Sequence, residues 1–201
     1  CFSFATLSVS AMEPVAAPDF GVGTKWNFKK INIGPGGDNG KVMEQFTNTV
    51  VGKTDSVYRI IRNNVCGSPE EYAITRSGLG QGSPVNGNQG DGKLFKFPLT
   101  VGEKWDTKSY FFNCAIQIGG YTTMTYQVVG EEEITVLGRK YRTVKIVGSG
   151  WWNANSDGAT GTLKDVVNYA PEVGVAVRFE RAAGPSAFNK TEIVLESFEI
   201  K

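Results

Sequence analysis

The sequence predicts an all-β antiparallel fold, a barrel or two-sheet sandwich built from two related half-units, and three observations lead there. Apolar and polar residues alternate at period two, most clearly where Val173, Val175, Val177 and Phe179 interleave with Gly174, Ala176, Arg178 and Glu180. The 25 glycines of this 201-residue chain gather at breaks between such runs, as turn chemistry requires. The third observation is an internal echo. Val22-Gly23-Thr24-Lys25-Trp26-Asn27-Phe28-Lys29 returns as Val101-Gly102-Glu103-Lys104-Trp105-Asp106-Thr107-Lys108, identical at five of eight positions. Val50-Val51-Gly52 then returns as Val128-Val129-Gly130, and Tyr58-Arg59 as Tyr141-Arg142. The order is kept at offsets of 79, 78 and 83 residues, which points to a duplicated unit.

Taken in order, residues 1–11 read as the remnant of an export signal. Phe2, Phe4, Ala5, Leu7 and Val9 are apolar, and Val9-Ser10-Ala11 offers small residues for cleavage before Met12. A lipidated Cys1 is the competing reading; it fits less well because a lipoprotein tether is polar and flexible. Residues 12–201 form one β-domain, with half-units at about 18–92 and 93–201. Strands are expected at 25–33, 42–51, 56–63, 71–76, 93–99, 103–113, 123–128, 132–137, 139–147, 161–169, 173–180 and 190–200. Glycine turns separate them at 34–40, Asp91-Gly92, Gly119-Gly120, Leu137-Gly138 and Asp157-Gly158. The glycine-rich stretch 77–92 is either the joint between the half-units or a loop over an opening. A lone half-unit would leave an apolar face and two edges exposed; packing on its copy covers the face and can pair the edges.

Composition narrows the function. A net charge of +1, with basic and acidic residues intermixed, leaves no basic face and argues against nucleic acid as a partner. Histidine is absent, which removes serine or cysteine hydrolysis through a histidine base and leaves only carboxylate chemistry. The three cysteines show no CxxC pair, so neither a zinc site nor any other metal or cofactor site is expected. Once residues 1–11 are set aside, Cys66 and Cys114 remain, and an oxidising compartment favours a disulfide between them; two separate thiols are the alternative. No run reaches the roughly 20 apolar residues of a membrane helix.

Several motifs invite chemistry and decline it on inspection. Gly78-Leu79-Gly80-Gln81-Gly82 lacks the final spaced glycine and the following helix of a dinucleotide site. Asn153-Ala154-Asn155-Ser156-Asp157-Gly158 imitates the start of a calcium loop, but Lys164 stands where a bidentate glutamate is required. Glu131-Glu132-Glu133 lies on a period-two run, with Glu132 on one face and its neighbours on the other. These acids suit partners among Arg139, Lys140 and Arg142 across a hairpin. Trp151-Trp152 is more inviting. Adjacent strand residues face opposite ways, so one indole turns inward and the other out. Trp151, Trp152 and Tyr169 are the candidate ligand rim.

The run Pro98-Leu99-Thr100-Val101-Gly102-Glu103-Lys104-Trp105, the hairpin from Val129 to Ile146 and the turn Tyr169-Ala170-Pro171-Glu172-Val173-Gly174 together resemble a family of uncharacterised exported bacterial domains. The resemblance covers about residues 98–201; Leu137 replaces the small residue usual in the hairpin turn. It implies a secreted, lipocalin-like half-barrel with a concave face and supplies no catalytic residue. The reading that results is a non-catalytic domain exported to the periplasm or cell surface. It binds an apolar or carbohydrate ligand in a concavity between the half-units. A structural or protein-interaction module of the envelope is the alternative, and a carboxylate-only hydrolase comes third.

Overall fold

The computed structural model describes residues 12–35, 39–65, 68–77, 93–113, 118–155, 158–184 and 189–201. In them the chain forms ten strands and no helix. The first four are β1 (Lys25–Asn32), β2 (Val42–Lys53), β3 (Val57–Val65) and β4 (Ser68–Thr75). The next three are β5 (Lys104–Asn113), β6 (Ile118–Val136) and β7 (Arg139–Ala154). The last three are β8 (Thr160–Ala170), β9 (Val175–Ala183) and β10 (Asn189–Glu199). All belong to one antiparallel sheet ordered β4-β3-β2-β1-β10-β9-β8-β7-β6-β5. Each step is between strands consecutive in sequence except the β1–β10 seam, where Lys25 faces Glu199 and Asn32 faces Thr191. The antiparallel all-β expectation is met, as one continuous sheet whose edges, β4 and β5, do not pair.

Several strand boundaries differ from the pattern in the sequence: β4 begins at Ser68 and β9 at Val175, with Val173 in the turn before it, and three differences are larger. Residues 93–99 are not a strand: only Leu99 bridges to Val15. Phe95 and Leu99 are buried as a strand's inward residues would be, but Pro98 has no N–H to give a ladder. The runs at 123–128 and 132–137 are one 19-residue strand, β6, and β7 likewise continues past Val147 through both tryptophans to Ala154. A bulge between Val128 and Gly130 lets β6 run on while its register to β7 shifts by one residue.

The sheet curls around its own chain. Phe20, ahead of β1, stacks edge-on against Trp26 of β1 at 4.6 Å and tilts against Tyr58 of β3 at 5.3 Å. The same ring packs against Gly174, in the turn between β8 and β9, where an added Cβ would lie 2.5 Å from it. One ring can touch β3 and the β8–β9 turn only if the strands between bend about it. Tyr58 fixes the segment: its hydroxyl accepts from the Phe20 N–H at 3.1 Å and lies 3.0 Å from the Pro18 carbonyl. Phe95 and Phe97 enclose Tyr169 from the other side, at 4.9 and 5.5 Å. The concave face is therefore filled by residues from 12–20 and 93–99, with Leu99 fully buried and Phe20 and Phe95 nearly so.

The two corners that carry the sequence echo share their geometry. Gly23 and Gly102 have φ of 95° and 85°, in the region open to glycine. Gly23 N–H donates to Val50 O at 2.8 Å, and Gly102 N–H to Val128 O at 2.9 Å. In return Val50 N–H donates to Thr24 O, and Val128 N–H to Glu103 O. Both following strands bulge at the repeated Val-Val-Gly, between Val50 and Gly52 and between Val128 and Gly130. Trp26 and Trp105 are both buried, each donating its indole N–H to a distant carbonyl, of Val173 and Lys93 respectively. The Tyr-Arg echo is not part of this match. Val50 faces Ile60 and Val128 faces Ile146, so the position of Tyr58 corresponds to Val144, not Tyr141.

Candidate functional site

The polar groups on the concave face are committed to the fold. Asp165, with no exposed side-chain surface, accepts both guanidinium bonds of Arg181 at 2.8 Å and the Tyr126 hydroxyl at 2.7 Å. Gly148 stands between Tyr126 and Asp165 on the same rung, and a Cβ there would lie 2.4 Å from the Tyr126 ring. Burial first, and the Asp165 charge second, push the Tyr126 hydroxyl well above the usual phenol range. Further along, Arg62 lies over the rings of Phe46 at 4.6 Å and Tyr72 at 5.5 Å and donates Nε–H to Asn48 at 2.9 Å.

The acidic run is equally engaged. Glu131 holds Arg142, Glu133 holds Lys140 at 2.8 Å, and Glu132 accepts from Lys145 at 3.0 Å and Asn168 at 2.6 Å. Burial alone would raise the Glu132 carboxyl, but the Lys145 and Asn168 bonds prevail and hold it below the usual range. Lys140 and Arg142 are the partners expected across the hairpin. Arg139 instead lies over Tyr141 and over Phe198 of β10, tying the hairpin tip across β8 and β9. No group of three metal-ligating side chains occurs among the described residues. Cys66 and Cys114 lie outside those residues, as do Cys1 and Gly78 to Gly92.

The three expected rim residues do not meet. Trp151 is 55% exposed on the outer face, while Trp152 turns inward, half-buried, with Phe111 edge-on at 6.4 Å and Gly161 beneath its indole. Tyr169 is buried between Phe95 and Phe97. Trp152 faces Gly161, eight residues before Tyr169 on β8. At about 3.3 Å per residue that is roughly 26 Å of strand. Period two sends the tryptophans to opposite faces, and strand length sets Tyr169 apart from both.

The outer face offers open ground instead. A cleft of about 390 Å³ on β10, β1, β2 and β3 is lined by Asn27, Gln45, Thr47, Asn63, Glu196 and Ser197. These side chains largely satisfy one another: Thr47 donates to Asn27, Asn27 to Ser197 and Gln45 to Glu196. A second groove, of about 410 Å³, crosses β5 to β8 between Lys104 and Lys164, over Thr125, Gln127, Val147 and Ser149.

Register extends this groove into a larger surface. Four outward rungs follow one another: Lys104, Gln127, Val147 and Val166, then Asp106, Thr125, Ser149 and Lys164. Next come Lys108, Thr123, Trp151 and Thr162, and last Tyr110, Tyr121, Asn153 and Thr160. Rungs about 7 Å apart on strands about 4.8 Å apart give a surface of roughly 20 by 14 Å. Tyr110 and Tyr121 meet edge-on at 5.6 Å, and the Lys108 ammonium stands 4.4 Å over the Tyr121 ring. Sequence reasoning found Trp151 but missed the rest. The signal was there in Lys104, Asp106, Lys108 and Tyr110, alternating with the core residues Trp105 and Thr107.

No family model matches this chain, and no curated protein matches it. Among solved structures it is similar to a candidate lipoprotein from Parabacteroides distasonis ATCC 8503, at 12% identity and a TM-score of 0.56. That match covers 94% of this chain and all of the other. The hypothetical lipoprotein YmcC from Escherichia coli K12 is matched over 87% of this chain and 84% of its own, at 8% identity and a TM-score of 0.43. At the first of these distances what is shared is the fold, a curled antiparallel sheet found in a bacterial chain described as a lipoprotein.

Proposed function

We propose that this chain is a non-catalytic β-domain of a bacterial envelope that acts through its outer surface and not through an internal cavity. The observation that carries the reading is the filled concavity, with Phe20, Phe95 and Leu99 at 3%, 2% and 0% exposure where a lipocalin-like ligand would sit. The commitment of Asp165 to Arg181 and of Glu131 to Arg142 supports a role without acid–base chemistry. Export is supported by the apolar residues ahead of Met12 and by the lipoprotein description of the Parabacteroides distasonis chain that shares the fold. Duplication of an ancestral half-unit is supported by the two corners with matching hydrogen bonds and bulges. Native mass spectrometry of protein taken from its own envelope fraction is the test. The expected spectrum shows the chain without a stoichiometric small molecule; a retained lipid or other small ligand would return the function to the concavity.

A further inference from the structure

We propose that the outer face of β5 to β8 is a binding surface for an acidic glycan, a sugar chain bearing carboxylate or sulfate groups. The inference rests on the reading that the outer surface is the working one. Three features of one surface converge. The groove between Lys104 and Lys164 is a concave bed of about 410 Å³, and hydroxyl and amide side chains, Thr125, Gln127 and Ser149, supply hydrogen bonds along it. On the rung beyond Lys164, Trp151 is 55% exposed, so its indole offers flat aromatic surface to the apolar face of a sugar ring, with the half-buried Tyr121 and Tyr110 one rung further on β6 and β5. Around the aromatics lie Thr123, Thr162, Asn153 and Thr160, short polar groups able to meet sugar hydroxyls without covering the rings.

Charge selects among glycans. The sixteen outward positions of the four rungs hold three lysines, 104, 108 and 164, against one carboxylate, Asp106, a local charge of +2 in a chain of net charge +1. The carboxylate is engaged by the Thr125 hydroxyl at 2.6 Å. Lys104 and Lys164 form no ion pair among the described residues, although the adjacent Glu180 on β9 is held by Arg178 and Lys190. Two unpaired ammonium groups on opposite banks of a hydroxyl-lined groove complement a repeated anion. The aromatic end makes a sugar ring, and not a bare polyanion, the ligand that fits.

The full chain should retard on affinity gels containing polygalacturonate or dextran sulfate, with retardation falling as salt rises, and should pass freely through neutral dextran. A preference for one polyanion over the other identifies the acidic group. Trp151→Ala should weaken binding at least tenfold, and the Lys104→Glu, Lys164→Glu double variant should abolish it. Lys140→Glu, at the hairpin tip, should bind as the parent does. Because Trp151 is exposed, the unfolding midpoints of these variants should match the parent; Thr162→Glu, beside Trp151, repeats the charge test without removing an aromatic or a lysine. Binding that survives both site variants, that is lost equally in Lys140→Glu, or that neutral dextran matches would overturn the proposal. So would displacement by single-stranded DNA at equal charge concentration. Absence of any glycan binding, with no small molecule retained in the native spectrum, would overturn this inference and leave the outer-surface function standing.

Discussion

Asp165 and Glu133 both sit opposite cations, yet their surroundings give them different weights. Asp165 is fully shielded and holds Arg181 and Tyr126, so Asp165→Ala leaves a guanidinium and a phenol without their acceptor. The expected loss is about 3 kcal/mol by urea unfolding, at the low end for a broken buried pair because Arg181 keeps a third of its side chain in water. Glu133 and Lys140 are 62% and 72% exposed, and Glu133→Ala should leave the midpoint unmoved. Protonation gives a second residue-scale test. Burial raises the folded pKa of Tyr126 and of Tyr169 above the ordinary value of 10.0. Above about pH 10 the unfolded chain therefore gives up protons that the native chain keeps, so stability falls as pH rises. Their contribution is complete below that pH and is lost progressively above it. Urea midpoints between pH 8 and 11 should decline, and less steeply in Tyr126→Phe; an identical slope in that variant would contradict the assignment.

At the scale of elements, side-chain size across the rungs shapes β6 and β7. Gly148 makes room for Tyr126, and Gly161 for Trp152. Gly148→Ala should cost about 1–3 kcal/mol, since Cβ would press on a ring already fixed by Asp165. The β6–β7 turn runs the other way. Leu137 has φ 48° and Gly138 φ 83°, the left-handed pair of a two-residue hairpin, and leucine pays for that conformation while 58% exposed. Leu137→Asn should stabilise by about 0.5–1 kcal/mol, read as a higher midpoint with unchanged denaturant dependence. The turn itself was legible because Leu-Gly separates two alternating runs. The length of β6 was not: Val129-Gly130 reads locally as a stop, and only pairing with β7 reveals it as a bulge the strand passes through.

For the molecule as a whole, the β1–β10 seam decides how the halves behave. Eight facing residue pairs, from Lys25–Glu199 to Asn32–Thr191, join the N-terminal run to the C-terminal one, and Phe20 packs across both. Heat should therefore unfold the chain in one transition with equal calorimetric and van't Hoff enthalpies, despite the resemblance of its corners. Trp26→Ala and Trp105→Ala should each lower that single transition, by about 3–5 kcal/mol at its midpoint. Two resolved transitions, or a tryptophan variant that melts only half the signal, would show the halves to be independent.

Alternation and glycine placement are local properties, carried by residues a few positions apart. They determined the antiparallel strands, the Leu137-Gly138 hairpin, the opposed faces of Trp151 and Trp152 and the alikeness of the corners at Trp26 and Trp105. Three things needed the tertiary structure: the pairing of first strand with last, the filling of the concavity by Phe20, Phe95 and Leu99, and the alignment of Lys104, Lys164 and Trp151 on one outward surface. Each depends on which strand lies beside which and on what the curled sheet closes around. Those contacts join residues far apart along the chain, and period two, which says in or out, is silent about what a side chain finds there.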